Sequence, residues 1–125
     1  MNAVIDQWSV LAALRQYTDI GERGEAAALP LCRDSLCEVR GRLRDAAFCG
    51  DRRVETAAAG LAFYRLTLRR MGENGGAARL KAGDIAIERN PGALLAAAAK
   101  VRDEALAQAA PLLKDNAFYF GKVDV

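Results

Sequence analysis

The residues of this 125-residue chain best suited to chemistry are three cysteines, Cys32, Cys37 and Cys49, and no histidine accompanies them. A nucleophilic thiolate needs a nearby base and cationic surroundings. Only Cys49, with Arg52 and Arg53 just beyond it, has the second, and a helix-end thiol accounts for it more simply. A metal site needs ligands that converge. Cys32 and Cys37 lie five apart on a helical stretch, point in different directions, and read as two small core residues. Without histidine, the usual general base, proton switch and commonest metal ligand are all missing.

Other chemistry is equally thin. "GENGG" resembles a phosphate loop only in its glycines, because no Lys-Ser or Lys-Thr follows them. Asp84 and Glu88 are two carboxylates on a strand-like stretch without a cleft, and read as solvated charges rather than an acid/base pair. Arginine outnumbers lysine fourteen to four, and Arg40, Arg42, Arg44, Arg52 and Arg53 form the densest cluster. Arginine suits phosphate contacts and interface ion pairs alike. Interleaved Asp34, Glu38, Asp45 and Asp51 dilute any phosphate-attracting field. A solvated helix face is therefore the first reading of the cluster, subunit pairing the second and nucleic acid the third. The formal charge of +2 agrees. No enzyme, cofactor or small-molecule substrate is expected.

The length fits one domain, 1–125, large enough for a core without disulfide or metal staples. No basic n-region opens the sequence, and no apolar run approaches the ~20 residues needed to cross a bilayer. The expectation is a soluble protein with free thiols in a reducing compartment, with no membrane partner.

Periodicity predicts about four helices. The first spans roughly 3–17, with Val4, Trp8, Leu11 and then Leu14 or Arg15 on one side. A second begins near Glu25 or Pro30 and runs to Ala47, with Leu29, Cys32, Leu36, Val39 and Leu43 in one stripe. If it begins before Pro30, that residue should kink it. Gly50 and Asp51 suit a helix stop and an N-cap. The third helix, 52–71, is apolar over more than half its girth, so it is either central or buries a second face against another subunit. The fourth spans about 91–113, with Leu94, Ala98, Val101, Ala105 and Leu112 inward and Lys100, Arg102, Asp103 and Glu104 outward.

Two stretches break the helical pattern. In "LKAGDIAIERNPG", Leu80 and Ala82 share one parity and Ile85 and Ile87 the other, as a β-bulge at Gly83-Asp84 would produce. "AFYFGKVDV" is rich in residues that favour extended structure. The expected fold is thus mainly α, a bundle of about four helices with a small two-stranded element pairing 80–88 with 117–124.

This order of parts resembles the head–tail connector proteins of tailed phages and prophages, adaptor subunits that form a ring beneath the portal. Two local patterns carry the resemblance. One is the extended segment Ala82-Gly83-Asp84-Ile85-Ala86-Ile87, and the other is a C-terminal stretch bearing Phe118 and Phe120. The resemblance implies a structural role: copies join head-to-tail into a closed ring, with portal protein above and a tail or stopper protein below, while DNA passes through the lumen. It implies assembly in the cytoplasm of a bacterial host and a final place at the virion head–tail junction. Candidate interface residues on this reading are Phe63, Leu66, Gly83, Asp84, Ile85, Ile87, Phe118 and Phe120. The alternative is a small helical oligomeric binding or regulatory module, a nucleic-acid-associated one included.

Overall fold

The computed structural model describes residues 5–73 and 91–114. Over them the protein is mainly helical: α1 (Gln7–Leu14), α2 (Glu22–Gly41), a 3₁₀ turn (Ala46–Gly50), α3 (Arg52–Glu73), α4 (Pro91–Ala109) and a second 3₁₀ turn (Ala110–Leu112). No strand occurs among the described residues, where the only β pairing is an isolated antiparallel bridge, Leu43 with Leu113. The expected pairing of 80–88 with 117–124 lies outside them.

α1 is shorter than the sequence predicts, and a local cap sets its start. The Asp6 carboxylate accepts from the backbone N–H groups of Trp8 and Ser9, each at 3.0 Å, and the Ser9 hydroxyl accepts from Asp6 N–H at 2.9 Å. That reciprocal box satisfies donors the helix itself cannot. Its register puts Val10, Leu11 and Leu14 in the core and leaves Trp8 54% exposed, so the predicted stripe through Trp8 is corrected.

α2 begins at Glu22 and runs through Pro30. An interior proline costs about 3 kcal/mol. Burial of Ala28 and Cys32 on either side, with Leu29 packed against the core, offsets it. Glu22 and Glu25 in the first turn suit the positive end of the helix dipole. The stripe through Cys32, Leu36 and Val39 is buried, as its spacing predicts. The helix stops at Gly41 rather than Ala47 because the chain beyond it turns to pair: Arg44 N–H donates to Leu112 O at 2.9 Å and Lys114 N–H to Arg42 O at 2.8 Å.

α3 is the central element and packs against α1, α2 and α4. Asp51 precedes it and accepts from Arg53 N–H at 2.9 Å, as the N-cap reading requires. Ala57, Ala58, Ala59, Gly60, Leu61 and Ala62 are all buried, so more than a full turn is enclosed on every side. Arg70 donates to Thr18 Oγ1 (2.9 Å) and Asp19 O (3.0 Å), which ties the end of α3 to the start of α2. The Leu43–Leu113 bridge ties the end of α2 to the end of α4, eight residues before Asp51. α2 and α4 therefore both run opposite to α3.

α3 and α4 approach closely at Gly60. A Cβ added at Gly60 would stand 2.9 Å from Ala105 Cβ and 3.3 Å from Arg102 Cα. Backbones meet here because neither helix carries bulk. Arg102, predicted on the wet side, is only 6% exposed: its guanidinium lies 4.2 Å from the centroid of the Tyr64 ring and donates to Asp103 at 2.9 Å. A cation over an aromatic face retains favourable electrostatics when buried. Gly60→Val should wedge the two helices apart and lower unfolding free energy by about 2 kcal/mol in urea titration. Unchanged stability would show that the contact relaxes freely.

Candidate functional site

Of the residues the connector resemblance singles out, Phe63 and Leu66 are described; Gly83, Asp84, Ile85, Ile87, Phe118 and Phe120 lie outside the described residues. Leu66 is 4% exposed and belongs to the core. Phe63 is half-buried and stacks on Tyr17, with centroids 5.3 Å apart and planes at 23°. Burial raises the Tyr17 phenol pKa, and the negative charge of Glu104 adds to the shift. Phe63 thus packs within the chain, against the end of the α1 region, while Leu68 farther along α3 is 43% exposed.

The arginine cluster is largely built into the fold. Arg40 donates to Ile5 O, and Arg44 donates through Nε and Nη2 to Leu113 O, both at 3.2 Å. Arg53 grips Asp51 with two bonds of 3.0 Å, and this pairing holds the Asp51 carboxyl down at about 2. Arg65 on α3 bridges to Glu38 and Ser35 on α2.

The cysteines divide. Cys32 is fully buried, while Cys37 and Cys49 are exposed, which corrects the placing of Cys37 in the core. One residue past Leu36 is a 100° turn, enough to carry Cys37 off the buried stripe. No group of three His, Cys, Asp or Glu side chains among the described residues could hold a metal ion. No described helix is long and apolar enough to cross a membrane.

One concave feature escaped the sequence reading. A groove of about 390 Å³ opens where the 3₁₀ turn meets the start of α3, lined by Ile5, Ala47, Phe48, Asp51, Arg52 and Glu55. Its walls are fixed locally. Asp45 caps the 3₁₀ turn through Ala47 N–H at 2.9 Å, Asp51 caps α3, and Arg40 clamps the carbonyl of Ile5. Sequence offered one signal, an aromatic residue at Phe48 between two capping aspartates. No protein family, curated protein or solved structure matches this chain.

Burial pushes the Cys32 thiol up to about 11, against a nearby Arg15 that pulls it down. The folded state thus holds this proton more tightly than the unfolded chain, whose ordinary thiol value is 9.0. Stability should be unaffected below that value and fall as pH rises through it toward 11. A Cys32→Ala variant should lose this alkaline component of its thermal melting profile. In native protein at pH 8 a thiol reagent should label Cys37 and Cys49 at once and Cys32 only on unfolding.

Proposed function

We propose that this chain is a structural subunit of a phage or prophage head–tail connector ring, joining portal to tail and letting DNA pass through its lumen. The observation that carries the reading is where the described helices lead into the two segments whose sequence favours extended structure. Residues 74–90 join Glu73 to Pro91 at one end of the antiparallel α3–α4 pair. Residues from 115 onward follow Lys114, which is bonded to Arg42 at the other end. The 19 residues of α4 lie between, and at 1.5 Å each they span about 28 Å. On this reading one subunit would carry two different attachments, one from each end. Unlike surfaces that meet head-to-tail are what a closed ring requires.

The finer element, 80–88 with 117–124, fits the same scheme as a pairing between neighbouring copies, where strand addition supplies main-chain hydrogen bonds. Phe118, Phe120, Ile85 and Ile87 would lie at that contact, together with Gly83-Asp84. Portal and tail or stopper proteins would meet the ring faces. The near-neutral charge suits a lumen that lets DNA slide. This assembly belongs to the host cytoplasm and then to the virion junction.

Sedimentation and negative-stain imaging of the full chain, alone at high concentration and with a portal protein, test the proposal. Large closed rings are the expected result. Deleting residues 117–125 should leave helical circular dichroism intact and abolish the rings. A tight dimer that shifts labelled DNA, with binding falling steeply as salt rises, would instead establish the helical binding module. Loss of helix on deletion would make the tail part of the core.

A further inference from the structure

The groove beside Phe48 opens at the bundle end from which the chain leaves its described part. Leu113 is bridged to Leu43. Leu43 is four residues from Ala47 on the groove wall, a span of at most about 14 Å. Adding about 5 Å for the bridged pair puts the groove within about 20 Å of Leu113. The next residues contain the densest aromatic run in the sequence, Phe118-Tyr119-Phe120. Seven extended residues from Leu113 to Phe120 cover about 24 Å, so the run reaches the groove without strain.

From this geometry we infer that the groove is the docking site for the Phe118–Phe120 segment of the same chain. The floor supplies apolar contact through Ile5, Ala47 and the half-buried Phe48. The rim carries Asp51 and Glu55 as well as Arg52, and Lys122 follows two residues after Phe120. Because caps and the Arg40 clamp hold the walls, docking orders little beyond the tail itself. A tether this short gives an effective concentration on the order of millimolar, which favours the chain's own tail over a second copy's. The inference stands apart from the ring reading, since it concerns the free subunit. There the groove competes with any neighbour for the same aromatic residues.

A double-mutant cycle in the full chain tests it, with Phe48→Ala, Phe120→Ala and the pair compared by thermal melting at two protein concentrations. The expected result is non-additivity of about 2–6 °C, equal at both concentrations. Should Phe48→Ala fail to fold, Ala47→Lys at an exposed groove position takes its place in the cycle. Additive shifts would overturn the inference and leave the groove to residues 1–4 or to a partner. Non-additivity that grows with concentration would also overturn it, in favour of a second copy's tail.

Discussion

The enclosure of α3 is the constraint on which the rest of the structure depends. A helix buried on every side through residues 57–62 must present small side chains or push its neighbours away. Here it presents four alanines and a glycine around a single leucine. The Gly60 contact with Ala105 and Arg102 is the tightest consequence. It lets α4 lie directly on α3, and so closes the face that α1 and α2 leave open. An apolar helix of this girth poses a question that sequence leaves undecided, whether the second face meets the same chain or another. The α3–α4 contact covers part of that face within the chain, while Leu68 on the same helix stays 43% exposed.

Arginine does the complementary work at the places where regular structure stops. Helix ends leave carbonyl groups without intrahelical partners, and irregular segments add more. Arg15 donates to Ile20 O, Arg40 to Ile5 O, Arg44 to Leu113 O and Arg70 to Asp19 O. Each clamps a turn or chain end against a helix. A planar fork with five donors can hold a carbonyl and still reach a second group, which a lysine ammonium on a flexible stem does less well. Arg15 and Arg70 do so with Glu25 and Thr18. The arginine bias thus has structural uses that its clustering in sequence does not advertise.

How much could be read in advance follows from how local each cause is. The stripe Cys32–Leu36–Val39, the cap at Asp51 and the start of α4 at Pro91 depend on neighbours within a few residues, and all are found where the spacing puts them. The stop at Gly41 depends on a bridge between Leu43 and Leu113, seventy positions apart. Arg102 turns inward because Tyr64 on another helix receives it. α2 passes through Pro30 because tertiary burial outweighs a local penalty. The Asp6–Ser9 box is equally local, and it sets the start of α1 at Gln7, beyond the apolar run that begins at Val4. Phe48 between two capping aspartates is the groove's one local sign, since Ile5, Phe48 and Glu55 meet only after α1, the 3₁₀ turn and α3 are in place.

The same arrangement makes α4 a strut of fixed length. Its end is tied to α2 by the Leu43–Leu113 bridge and the Arg44 clamp. Its middle is seated on Gly60 of α3. The separation between the two chain segments it divides is then a property of the fold rather than of whatever they meet. A segment leaving beside Lys114 lies within reach of the Phe48 groove. A segment leaving beside Glu73 begins about a helix length away from it.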